Sequence, residues 1–503
     1  MAYPENSSGY KKATEELNSI AATVATSSNT KLLLAFSGTG LPGTEITGSF
    51  SFALTKWMAD TYPSNTEIDS SNAEAETIRL FFREILPRTE YENIYSGELG
   101  LLARIKKLKG KNKESQLAWL IRQIDNSLLK ERDKEAVFHN LEIFIRWQIP
   151  ASQTERTFSF LNEPGIFIHK QIQRKASIKT ILQKKLPVPE KISSAIAALL
   201  IDIARHTLSL NFRETEPFTY ADSKEVRLFR LERGLTIALF GMNRERRLSL
   251  ESYVGYLAFK NGVPVAYGGG WLFGHRCQFG INILPPFRGG ESALIFYQLL
   301  RVYKQYYNAG LFAVKPYQFG KNNKEALSSG AFWFYYKAGF RPENFLLRKI
   351  AALEWKKIKE NKGYRTPLHI LKKLTGSNLM LRLRQDAFPI ADAAIVSTRI
   401  TDFINDQFNG DRKRATSICL NKTKKELGIH TLSSWSYFEK KALTEWSLPA
   451  QSLLQISRWK KSDKKQFIHL VRLKGSEDER KFVLSLQACS CFWKDLLYHH
   501  NIT

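Results

Sequence analysis

The stretch from Cys277 to Tyr306 constrains this chain more than any other. Cys277–Leu284 puts Phe279, Ile281 and Ile283 on one side and Gln278, Gly280 and Asn282 on the other, the alternation of a half-buried strand. It breaks at Pro285-Pro286-Phe287-Arg288-Gly289-Gly290-Glu291-Ser292-Ala293. A helical spacing follows in Leu294, Leu299, Val302 and Tyr306, and Asn308-Ala309-Gly310 stops it. A strand that opens through a Gly-containing loop into a helix gathers unpaired N–H groups and the positive end of the helix dipole at one spot. That is an anion site by construction.

The surroundings extend this pattern. Lys260-Asn261-Gly262 lies between the apolar runs Val254–Phe259 and Val263–Tyr267, and Glu232-Arg233-Gly234 lies between Glu225–Leu231 and Leu235–Phe240; both read as hairpins. Leu311–Val314 reads as a short strand. A helix from Lys324 to Lys337 is expected next, capped by Asn322 or Asn323 and closed by Gly339. The order of strands, helix, strand and helix predicts an α+β or α/β fold, a mixed sheet with helices against it.

Residues 226–342 resemble the GNAT (Gcn5-related N-acetyltransferase) superfamily, and more narrowly a little-described bacterial GNAT-like group. Arg288, Gly289, Gly290 and Ala293 look like the family's Arg/Gln-x-x-Gly-x-Gly/Ala loop, with Glu291 where a Gly is usual. Tyr335-Tyr336-Lys337-Ala338-Gly339-Phe340 fits its Tyr-x-x-x-Gly-Phe mark, with Ala331 one turn earlier and Ser328 in place of the usual Asn. The narrower likeness rests on Lys315–Gly320 and Ser329–Tyr335. The resemblance implies an acyltransferase that moves an acyl group from acetyl-CoA or another acyl-CoA or acyl thioester to an amine acceptor of unknown identity. It implies a donor site at Gly280, Asn282, Ile283, Arg288, Gly289, Gly290, Ser292 and Ala293, with Tyr335 as the acid that protonates the leaving thiolate. It further implies a sheet that splays between Cys277–Leu284 and Leu311–Val314. A carboxylate at Glu291 is expected to repel a pyrophosphate at close range and to suit the helix N-terminus on its own account. The general base is left among Glu225, Glu251, His275 and water.

The flanks read as helical. Residues 1–222 are expected to form an N-terminal helical domain, 223–345 the GNAT-like domain, and 346–503 a basic, mostly helical C-terminal region. In the first, Ile78/Phe81/Phe82/Ile85, Leu117/Leu120/Ile121/Ile124 and Phe138/Leu141/Phe144/Ile145 are apolar stripes, and further helices are expected over Ile166–Leu182 and Ile192–Leu208. Ser37–Thr44 lacks the Lys-Ser/Thr ending of a phosphate loop and reads as a plain turn. In the last region, Leu368–Leu374 and Leu379–Leu383 continue the helical pattern, while Phe467–Leu473 and Lys481–Leu486 read as a hairpin across Gly475–Glu479.

Charge is unevenly spread. Residues 1–100 hold 7 Lys/Arg against 13 Asp/Glu, whereas 342–503 hold 30 against 16. An acidic head before a basic body points to an anionic macromolecule as an alternative partner. The alternative function is therefore a non-catalytic GNAT-like protein that binds nucleic acid or another anion through its basic C-terminal region. The four cysteines make no Cys-x-x-Cys pair and His169 and His206 have no second ligand at helical spacing, so no metal site is expected. Free thiols, a polar N-terminus and no apolar run long enough for a membrane span lead to the expectation of a cytoplasmic protein.

Overall fold

The computed structural model describes residues 1–92, 99–150, 159–384 and 391–498. These divide into two compact units. The first comprises Met1–Ile168, Ala198–Tyr220 and Asn261–Pro264; the second His169–Ala197, Ala221–Lys260 and Val265–Thr503.

The first unit holds an antiparallel sheet of β1 (Glu45–Gly48), β2 (Thr66–Ser71) and β3 (Ile143–Gln148), with β3 in the middle. Helices Phe52–Thr61, Ala75–Ile85, Leu101–Lys109, Gln116–Asp125 and Glu131–His139 share a core with it. Phe82, Ile105, Leu120, Ile124, Ile145 and Trp147 are almost fully excluded from water there. The stripe expected to end in helix at Phe144 and Ile145 instead changes period. The helix stops at His139, Glu142 takes a positive φ of 43°, and Ile143, Ile145 and Trp147 point inward on a strand. β-branched and aromatic residues at every second position favour the pleated conformation over a further helical turn. Ser37–Thr44 lies outside regular structure except for turns.

The second unit is built on an eight-stranded mixed sheet. In chain order its strands are β4 (Ala221–Arg230), β5 (Leu235–Met242), β6 (Ser252–Lys260), β7 (Val263–Phe273), β8 (Arg276–Ile283), β9 (Leu311–Val314), β10 (Arg341–Pro342) and β11 (Leu379–Arg382); across the sheet they run β10-β11-β9-β8-β7-β6-β5-β4. Both expected hairpins form. Arg233 and Gly234 take φ of 62° and 64°, and Asn261 and Gly262 take 49° and 79°, the positive angles that a two-residue turn needs to match strand twist. β8 and β9 are parallel, so the chain must cross over between them, and the Ser292–Tyr306 helix makes that crossover. The fold is thus mixed α/β, as the element order predicts.

Helices predominate in both flanks, with corrections in detail. Leu379–Arg382 is a strand that pairs antiparallel with β9, because Leu379 and Leu381 enter the sheet's core. The segments read as a hairpin are helices, Lys461–Lys474 and Glu479–Ala488. Their buried residues, Phe467/Leu470/Val471 and Phe482/Val483/Leu486, follow the three-four spacing of a helix face, and Asp478 caps the second by accepting from Lys481 N. The Lys324–Lys337 helix is split into Lys324–Ser328, which Asn323 caps, and Ala331–Lys337, because Gly330 takes φ 67° between them. Of the helix expected over Ile166–Leu182, only Ile178–Gln183 forms. Gln173 gives its amide N–H to Glu291 instead, so a tertiary contact overrides the local pattern. The helix expected over Ile192–Leu208 is present as Ser194–Ser209.

Candidate functional site

The ladder between β8 and β9 is short. β8 pairs with β9 at Arg276–Leu311, Cys277–Phe312 and Gln278–Ala313, and the ladder ends there. β9 is only four residues long. Pro316 lacks an N–H for the ladder and opens a 3-10 turn, Pro316–Phe319, that carries the chain away. From Phe279 onward β8 keeps its antiparallel partner β7 but runs beyond the end of β9.

Gly280 lies at this parting. A Cβ on Gly280 would stand 3.3 Å from Gln318 Nε2, so the Gln318 amide faces it across the gap. The Gly280 carbonyl accepts a 2.8 Å hydrogen bond from the Tyr256 hydroxyl. It also stands 2.2 Å from where a Cβ on Gly268 would be, so glycine at 268 is what admits it. On the helix side of β8, Phe279 packs edge-on against Tyr303 and is stacked with Tyr256.

The loop begins directly after β8. Asn282 is exposed and Ile283 half-buried; Ile283 O accepts from Arg288 Nε at 3.2 Å. Gly289 takes φ 81° with open space where its side chain would be, whereas Gly290 has no positive φ; the turn depends on Gly289 for its conformation. Ser292 and Ala293, both half-buried, form the first turn of the helix, whose leading N–H groups have no partner within it. Arg288 reaches Glu325 in an exposed ion pair, a contact of the kind that contributes little and yields readily to a better anion.

Glu291 does not face this loop. Its side chain is fully buried, and its carboxylate takes Lys260 Nζ at 2.8 Å, Arg233 Nε at 2.9 Å and the Gln173 amide at 3.0 Å, with His169 Nδ1 3.6 Å away. The expected repulsion of a pyrophosphate is therefore corrected: two cations neutralise the charge inside the protein. Nor does the side chain cap the helix, since it makes no cap hydrogen bond. Burial works to raise the carboxyl, but the bonds from Arg233 and Lys260 outweigh it and hold the group below its ordinary value. Burial lowers Lys260 to about 8, with Glu291 opposing, and lowers His169 to about 4.

Tyr335 sits in the Ala331–Lys337 helix among Phe296, Phe319, Phe334 and Phe340 and is 3% exposed. Burial pushes its phenol upward, so the hydroxyl keeps its proton at neutral pH. Burial raises Tyr256 as well, and the neighbouring Tyr335 adds to it, which puts the two phenols within each other's field near Gly280. Cys277 is fully buried and its thiol is raised, so it stays protonated and unreactive.

The three candidate bases fall in different places. Glu225, raised to about 7 by burial, lies on β4, with β5, β6 and β7 between it and β8. His275 holds Asn308 O at the start of β8. Glu251, also raised by burial, is in the field of Asp392, Arg276, Lys315 and Lys474. Tyr256, Gln318 and the counter-ions Lys260 and Arg233 were not singled out from sequence. Lys315–Gly320 marked the neighbourhood of Gln318, but nothing in a strand pattern marks Tyr256. Comparison with known family models, curated proteins and solved structures finds no match to this chain.

Proposed function

We propose that the second unit is a GNAT-like acyltransferase that passes an acyl group from acyl-CoA, or another acyl thioester, to an amine. The observation that carries this reading is the end of the β8–β9 ladder at Gln278, one strand's length before a glycine turn and a helix N-terminus. An extended thioester arm lies along the free edge of β8 beside Gly280 and Asn282. Its phosphates meet the amides of Gly289–Ala293 and the Arg288 guanidinium. The amine attacks the thioester carbonyl, the C–S bond breaks, and the departing thiolate accepts a hydrogen bond from the Tyr335 hydroxyl and takes up the proton that the amine releases. Glu251 is the carboxylate that first accepts the amine's proton in this reading.

Calorimetry with acetyl-CoA and desulfo-CoA tests this reading. Arg288→Ala is expected to weaken binding of both by about 1–3 kcal/mol, the scale of a charge-assisted hydrogen bond. Tyr335→Phe is expected to leave affinity nearly unchanged and to slow acyl transfer, since the hydrogen bond is needed only in the transition state. Absence of saturable heat with either ligand refutes the donor site.

A second reading rests on the Arg412–Leu427 helix, where Arg412, Lys413, Arg414, Lys422 and Lys425 are all exposed. That density of cations fits a phosphate backbone. Retention on heparin that falls steeply with salt, with no acetyl-CoA binding, favours it over the transferase.

A further inference from the structure

The helix Phe345–Glu360 follows β10 and is held to the second unit by one face. Leu347, Ala351 and Glu354 are buried on that side, and Trp355 stacks on Trp333 with ring centroids 5.5 Å apart. The opposite face is turned to solvent. A helix turns about 100° per residue, so Phe345, Leu346, Lys349, Leu353 and Lys356 share one outward arc. On it Phe345, Leu346 and Leu353 are 61%, 66% and 63% exposed. Cations surround them. Residues 345–376 hold nine Lys/Arg against two Asp/Glu, and all nine cations are exposed. Of the two carboxylates, Glu354 is buried and takes Lys357 Nζ at 2.7 Å, while Glu360 reaches Lys356 only at 3.8 Å. Lys349 Nζ stands 4.5 Å from the centroid of the Phe345 ring, which puts its charge directly at the apolar patch.

Single exposed leucines are ordinary, but three large apolar side chains on one arc amid a strong positive excess mark a contact surface. We propose that the outer face of the Phe345–Glu360 helix lies on the surface of an anionic lipid bilayer. Phe345, Leu346 and Leu353 enter the boundary between headgroups and acyl chains. The lysines run their methylene stems along that boundary and set their charges among the lipid phosphates. A nucleic-acid backbone meets the cations but has no apolar volume for the two leucines. No helix among the described residues is long and apolar enough to cross a membrane, so the contact is with the surface. The inference does not depend on the acyltransferase reading.

The test is co-sedimentation of the full chain with vesicles of equal parts phosphatidylglycerol and phosphatidylcholine, against vesicles of phosphatidylcholine alone. A chain of net charge +27 is drawn to any anionic surface, so the deciding variant keeps the charge. Leu346→Gln with Leu353→Gln is expected to weaken partition onto the anionic vesicles at least about tenfold. Leu128→Gln, at a fully exposed leucine of the first unit, is expected to leave it unchanged. Lys349→Gln with Lys356→Gln is expected to weaken binding and to flatten its dependence on salt. Every substituted side chain is exposed, and circular dichroism establishes that each variant is folded. Absence of binding to the anionic vesicles, equal binding to phosphatidylcholine alone, or anionic binding that Leu346→Gln with Leu353→Gln leaves unchanged overturns the proposal.

Discussion

Glu291→Gln separates the structural role of this carboxylate from the one its position in the loop suggests. Glu291 and Lys260 are both fully buried, with 2.8 Å between Oε2 and Nζ. At an effective dielectric of about 20, two unit charges at that distance attract by about 6 kcal/mol, and desolvation offsets much of it. Removing one member leaves Lys260 and Arg233 facing each other without a counter-ion, for which the usual cost is about 3–5 kcal/mol. Urea unfolding of the full chain, followed by tryptophan fluorescence, is expected to show a lower midpoint by an amount in that range. The double variant Glu291→Leu with Lys260→Met removes both charges and is expected to recover a good part of the loss, because apolar groups of similar volume carry no desolvation cost. Acetyl-CoA affinity of Glu291→Gln is expected not to rise, since the wild-type carboxylate is already neutralised. A midpoint equal to wild type, or tighter acetyl-CoA binding in the single variant, refutes the reasoning.

Two further outcomes are expected. Gly268→Ala places a Cβ 2.2 Å from Gly280 O and 2.5 Å from the Tyr256 hydroxyl, and should lower stability by at least about 1–3 kcal/mol in thermal melts; Gly165→Ala, with nothing within 4 Å, serves as the neutral control. In the first unit, burial holds His206 near 4, with Arg205 adding to the shift and its bond to Asp202 O opposing it. Nδ1 donates to Asp202 O, so Nε2 accepts from the Tyr62 hydroxyl and has no place for a second proton. The folded group is below the ordinary histidine value of about 6.5, so its contribution is fully present above that pH and is lost as pH falls toward 4. The destabilisation caused by His206→Gln should therefore shrink over that window in urea titrations; a difference that is flat from pH 7 to 4 counts against a buried neutral imidazole.

The legible part of this protein is its local chemistry. Asn261-Gly262 and Arg233-Gly234 fixed their turns because few residue pairs tolerate positive φ in succession. The alternation of Cys277–Leu284, the loop after it and the helix from Ser292 to Tyr306 were readable for the same reason: period, proline, glycine and cap act within a few residues. Tertiary structure decided the rest. Leu379–Arg382 became a strand because β9 offered an edge to pair with, and Phe467–Val471 became helix because its apolar residues meet a core on one face. Most of all, it decided Glu291. From sequence, a carboxylate in that loop has only the helix dipole and a phosphate to answer to. Lys260, Arg233 and Gln173, which lie 31, 58 and 118 residues away, turn it inward and settle its charge. Sequence patterns carry information about neighbours along the chain, whereas the energy of a buried charge is set by whatever the fold brings within about 4 Å of it.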